Sequence, residues 1–146
     1  GITKEEGRVL LKIARQAIEA YVARGEIPEI DMNDPVLKKV GAAFVTLKKN
    51  GELRGCIGSL VAREPLYLSV RNMAIQAASR DPRFQPVKPG ELKDIRLEIS
   101  VLSALKKVKG AEEITLGQDG VILKNSSASG VFLPATRTPR SLIPSP

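Results

Sequence analysis

Histidine and tryptophan are both absent from these 146 residues, and cysteine occurs once. Each absence removes a class of chemistry. Without histidine, no Cys-His pair or Ser-His-Asp relay can be assembled within one chain. The single Cys56 excludes an intrachain disulfide, and with neither histidine nor a second thiol the usual sulfur and nitrogen zinc site cannot form. Oxygen ligands could still hold magnesium or calcium, but no metal and no cofactor is assigned. Aromatic residues make up only 3%, so there is little on which nucleic-acid bases could stack. No run approaches the roughly 18 apolar residues of a membrane span. The opening Gly1-Ile2-Thr3-Lys4-Glu5-Glu6 also lacks the apolar stretch of a signal peptide. A soluble, cytoplasmic chain without membrane contact is the expectation.

What is present suits a folded domain. The chain is 42% hydrophobic and of ordinary single-domain length. Its 23 Lys and Arg exceed 16 Asp and Glu, a balance of +7 shared with many nucleic-acid binders. The cations come in ones and twos, as Lys38-Lys39, Lys48-Lys49 and Lys106-Lys107, and are interleaved with acids. A nucleic-acid reading therefore rests on charge alone.

Thr3 to Glu6 fits a capping box, and Leu10, Ile13, Ala14, Ala17, Ile18 and Tyr21 follow at helical spacing. This predicts an amphipathic helix ending near Gly25, with Pro28 preventing its continuation. Asn33-Asp34-Pro35 offers a cap and first-turn proline for a short helix through Val40, closed by Gly41. Asn50-Gly51 is a type I′ hairpin signal between Ala42–Lys48 and Glu52–Ser59. Glu64-Pro65 opens a second helix with Leu66, Val70, Met73, Ala74 and Ala77 on its apolar stripe, ending before Asp81-Pro82. Ile95, Leu97, Ile99 and Val101 alternate with Arg96, Glu98 and Ser100, a half-buried strand. Gly117-Gln118-Asp119-Gly120 is a turn before the strand Val121-Ile122-Leu123, and a polar loop from Asn125 to Ser129 precedes Val131-Phe132-Leu133. Hairpins without regular βαβ alternation give an α+β class, an antiparallel or mixed sheet with flanking helices. Residues 135–146 read as an irregular Pro/Ser/Thr-rich tail after a domain spanning 3–134.

The most distinctive segment is Leu53-Arg54-Gly55-Cys56-Ile57-Gly58. Strict strand alternation places Leu53, Gly55 and Ile57 on a core face, and Arg54, Cys56 and Gly58 on the other. Arg54 would then lie about 6 to 7 Å from the thiol, where a guanidinium favours the thiolate. Glycines inside a strand also mark bulges, and a bulge would break this alternation. The alternative reading of Cys56 is a small buried hydrophobe. Asp81 and Arg83 can be a base and an anion clamp facing Cys56, or a turn with an ion pair and Phe84 as anchor. Glu98 reads as a solvated carboxylate unless a covering element desolvates it.

Leu53 to Gly58, Asp81-Pro82-Arg83-Phe84, Leu97 to Leu102 and Gly117 to Gly120, in this order and spacing, resemble the AMMECR domain, also called AmmeMemoRadiSam system protein A. The resemblance covers about residues 3–134. It implies an AMMECR-like α+β fold with two subdomains, a cleft near Arg54-Gly55-Cys56, and association with Memo-like and radical SAM proteins. It implies no established activity. After Leu133-Pro134 the sequence departs from the family pattern, which suggests a truncated or frame-shifted C terminus. Three expectations follow. The first is a site for a small anionic ligand or partner segment at Arg54, Gly55, Gly58, Arg83 and Glu98, with Cys56 and Asp81 as candidate catalytic groups. The second is a non-catalytic scaffold, and the third is a basic nucleic-acid binder.

Overall fold

The computed structural model describes residues 2–102, 114–116 and 120–125. Helix α1 (Lys4–Arg24) begins at the capping box: Glu6 N–H donates to Thr3 Oγ1, and Thr3 N–H to Glu6 Oε1. It stops at Gly25, whose φ of 68° is the left-handed conformation that glycine adopts without a side-chain clash. Leu10, Ile13, Ala14, Ala17 and Ile18 are buried as their spacing predicts, and Tyr21 is half-buried. Arg15 is buried with them. Its Nη2 donates to the carbonyls of Leu92 and Ile95, tying the helix to the start of a distant strand.

Asp34 caps α2 (Pro35–Lys38) through the amides of Val36 and Leu37. The short helix ends earlier than its sequence suggests, because Val40 and Gly41 are taken into strand β1 (Val40–Lys49) by pairing with β3 (Glu64–Pro65). That pairing also displaces the predicted helix start. Helix α3 (Leu66–Ser79) begins one residue after Pro65, with Leu66 N–H donating to the Lys39 carbonyl. Strand β1 turns into β2 (Glu52–Gly58) at Asn50-Gly51, both with positive φ as a type I′ turn requires.

A 3-10 helix (Pro89–Asp94) leads into β4 (Ile95–Leu102), and the backbones of β5 (Ile114–Leu116) and β6 (Gly120–Asn125) complete the sheet. The order is β2-β1-β4-β6-β5, with every pair antiparallel and β3 attached to β1. The fold is α+β. Residues 117–119 of the expected turn, the apolar segment 131–133 and the tail at 135–146 lie outside the described residues.

The core forms where α1 and α3 meet one sheet face. Ala43, Val45 and Leu47 of β1 and Ile95, Leu97, Ile99 and Val101 of β4 pack there with Leu10, Ile18, Val70 and Ala74. On the opposite face the alternation of β4 predicted a solvated Glu98 in the absence of a covering element. Instead Ala42, Phe44, Thr46, Cys56, Glu98 and Ser100 are all buried, and of the intervening β4 residues Arg96 alone is exposed. This is a sheet with its centre shielded on both sides, so burial alternates far less than the hydrophobic pattern does.

Candidate functional site

The hairpin does not keep a simple alternation. Lys48 pairs with Leu53 and Leu47 with Gly55, so Arg54 is an extra residue in β2, a β-bulge. The bulge has two consequences that overturn the strand-face expectation. Leu53 shares a face with Lys48 rather than with the core, and is 40% exposed. Arg54 turns away from the thiol, toward the face of Lys49 and the 3-10 helix. There its Nε and Nη2 grip both oxygens of Glu91 at 2.9 and 3.0 Å, while Nη1 donates to the Gln85 carbonyl at 2.8 Å. Lys49 Nζ adds a third contact to Glu91. Hydrogen bonding by Arg54, the largest cause, holds the Glu91 carboxyl at about 2. Arg54 is thereby a clasp between the hairpin and residues 85–91.

The glycines of the motif are explained by close approach. A Cβ on Gly55 would collide with the backbone carbonyl oxygen of Ala77 in the last turn of α3, and one on Gly58 would enter the ring and Cα of Phe44. These positions let helix α3 and the Phe44 ring lie against the strand.

Cys56 stands directly opposite Thr46, which in turn faces Glu98, so one cross-strand row holds a thiol, a hydroxyl and a carboxylate. Thr46 Oγ1 and Cys56 Sγ are 3.0 Å apart, and Lys48 Nζ lies 3.4 Å from Glu98 Oε2. Burial, the dominant cause, raises the Cys56 pKa against the opposing effects of the Thr46 hydrogen bond and the Arg83 charge. The cation acting on the thiol is therefore Arg83 and not Arg54. Glu98, expected in solvent, is 7% exposed.

Strand β2 is the sheet edge, and Cys56 presents its amide outward because the pairing with Thr46 leaves that N–H free of β1. Asp81 fills this gap. Its carboxylate accepts four hydrogen bonds: Cys56 N–H at 2.9 Å, Arg83 N–H at 3.0 Å, Arg83 Nε at 3.0 Å and Arg83 Nη2 at 2.8 Å. The local sequence makes this possible. Asp at the first turn position accepts from the amide two residues on, Pro82 presets the next φ, and Phe84 N–H closes the turn on the Asp81 carbonyl. With Arg83 as the largest cause, Asp81 is held at about 2, so it is a fixed anion and a poor proton acceptor near neutrality.

The Asp81 side chain is 2% exposed and that of Arg83 46% exposed. Two guanidinium nitrogens are thus anchored, and Nη1 has no partner among the described residues. The guanidinium carbon sits 5.4 Å from the Phe84 ring centroid, which further fixes its plane. Val87 N–H bonds the Ala78 carbonyl and fastens the far end of the loop to α3. Cys56, Asp81, Arg83 and Glu98 are brought together around the thiol, whereas Arg54 and Gly55 serve the other side of the sheet. Sequence reading missed Glu91 altogether, since its partner lies 37 positions away and neither residue marks the other locally.

A family model described as AMMECR1 matches residues 11–142. The chain belongs to the AMMECR1 family. A relative from Methanothermobacter thermautotrophicus is 40% identical over 146 residues, covering 94% of this chain and 75% of its own. Another from Methanosarcina mazei is 34% identical over 142 residues, covering 91% and 71%. The crystal structure of an uncharacterised protein from Pyrococcus horikoshii matches with a TM-score of 0.68 and 36% identity, over 77% of this chain. This AMMECR1 chain spans 58% of the length of that Pyrococcus protein. Among the described residues, no helix is long and apolar enough to cross a membrane, and no group of three or more candidate ligands is placed to hold a metal ion.

Proposed function

We propose that this AMMECR1-family chain binds an anionic group, borne by a small molecule or a partner's segment, at the outward edge of the Arg83 guanidinium beside Cys56. One observation carries the reading: Arg83 is locked on buried Asp81 through Nε and Nη2 while nearly half of its side chain remains exposed. A preorientated guanidinium loses little freedom on meeting a carboxylate or phosphate, and its planar donor edge suits both. Asp81 is the positioning residue, linking Arg83 to the β2 backbone. Arg54 acts at one remove, by clasping residues 85–91.

The same geometry favours recognition over thiol catalysis. The thiol is buried with a raised pKa, and Asp81 is saturated with donors and strongly acidic, so neither group is poised for nucleophilic attack or proton abstraction. A non-catalytic role in an assembly agrees with this, and association with Memo-like and radical SAM proteins is proposed from the family resemblance.

Titration of inorganic phosphate and acetate, followed by NMR at the Arg83 Nε–H and the Cys56 amide, tests the site. Saturable shifts of both signals in the wild type, with the Cys56 amide shift abolished in Arg83→Gln, support it. Unmoved signals, or a Cys56 amide shift that persists in Arg83→Gln, refute it.

A further inference from the structure

Leu60, Val61 and Ala62 form three consecutive exposed apolar residues, with Leu60 at 74% and Val61 at 53% exposure. Such runs are rare on surfaces that face only water. The segment joins the end of β2 to β3, between Ser59, whose amide bonds the Ala43 carbonyl, and Glu64, which pairs with Gly41. It therefore lies at the corner of the sheet where β1 begins, and Val40, the first residue of that strand, is 61% exposed. The loop is held in shape: Ser59 Oγ accepts from Val61 N–H at 3.1 Å and donates to the Val61 carbonyl at 2.9 Å. The apolar side chains are thus presented at little ordering cost.

Lys38, Lys39 and Arg63 flank this corner, all exposed and none in an ion pair among the described residues. The nearby Glu64 carboxylate is occupied by the Asn72 side-chain amide. The Asn72 amide holds that carboxylate without neutralising it, so the corner has an apolar centre and a rim of three cations against one anion.

We infer that this corner is a docking surface for a partner-protein segment that combines large apolar side chains with carboxylates. Charge complementarity selects this occupant. A second copy paired through the same surface across a two-fold axis would set cations against cations. A bilayer surface is disfavoured because no aromatic stands among the exposed large hydrophobic side chains of the described residues to anchor in the interface.

The probe is a phage-displayed library of random peptides selected on the intact protein. Enriched peptides should contain Asp or Glu with Leu, Ile or Phe, and bind more weakly as salt rises. Their affinity should fall about tenfold or more in Leu60→Asn/Val61→Asn and about threefold or more in Lys38→Gln/Lys39→Gln. These positions are exposed, so thermal unfolding should be unchanged and any loss is a loss of contact. A selection without binders, neutral or basic consensus peptides, or equal affinity for the Leu60→Asn/Val61→Asn variant would overturn the inference. So would phosphatidylserine-vesicle binding or dimerisation that depends on the same residues, which would assign the surface to lipid or to a second copy.

Discussion

Replacing Asp81 by Asn tests the joint between the sheet edge and the Asp-Pro-Arg-Phe turn. Oδ2 accepts from Cys56 N–H and Arg83 Nη2, Oδ1 from Arg83 N–H and Nε, and an amide must point its own N–H₂ at one of these pairs. Depression of the Asp81 carboxyl from 3.8 to about 2 corresponds to about 2 to 2.5 kcal/mol of preference for the ionised folded form. Arg83 stays half in solvent and can rehydrate, so the loss should remain near that value instead of reaching the 3 to 5 kcal/mol of a fully buried broken pair. Because the folded pKa lies below the unfolded one, the contribution is complete above the unfolded value and fades as pH falls toward the folded value. Its window is about pH 4 to 2. Urea unfolding of both proteins at pH 7 should differ by about 2 kcal/mol, and the gap should shrink by about half near pH 3. A difference below about 0.5 kcal/mol at pH 7, or one independent of pH, would refute the reasoning.

Gly55→Ala should destabilise by about 1 to 3 kcal/mol in the same assay, because its Cβ meets the rigid Ala77 carbonyl rather than a yielding side chain. Arg54→Met should cost about 1.5 to 3 kcal/mol and release the Glu91 carboxyl, whose NMR-measured pKa should climb from about 2 toward the usual carboxylate range. Glu91 is likewise depressed on folding, so wild-type stability drawn from it disappears between about pH 4.5 and 2; Arg54→Met should flatten that part of the acid profile. Native Cys56 should react with iodoacetamide more slowly at neutral pH than the unfolded chain, with an apparent pKa above that of the unfolded thiol.

Features encoded by a few neighbouring residues were legible in advance. The Thr3–Glu6 capping box, the Asp34-Pro35 start, the Asn50-Gly51 turn and the apolar spacing of α1 all act within one turn of chain, so their signals survive without tertiary context. Failures came where distant partners decide. The bulge at Arg54 depends on the register that Gly55 and α3 impose, and period-two reasoning placed that guanidinium on the wrong face. Glu98 and Ser100 keep a polar pattern yet lie buried, because burial depends on what covers the sheet and not on the strand's own alternation. The grouping of Cys56 with Asp81 and Arg83 was weighed from sequence, but the amide that joins them is a backbone group at a sheet edge, invisible in residue identities.

The site claim meets its most direct test in the single thiol. Cys56 is the only cysteine, so modification rates report one position. The measurement compares negatively charged iodoacetate with neutral iodoacetamide, in the wild type and in Arg83→Gln, at neutral pH and low salt. An anion-collecting Arg83 beside the thiol predicts a rate ratio favouring iodoacetate by about threefold to tenfold over the unfolded chain, erased by Arg83→Gln and suppressed by added phosphate. A ratio equal to that of the unfolded chain, unaffected by either Arg83→Gln or phosphate while modification runs faster than global unfolding, would contradict the anion site.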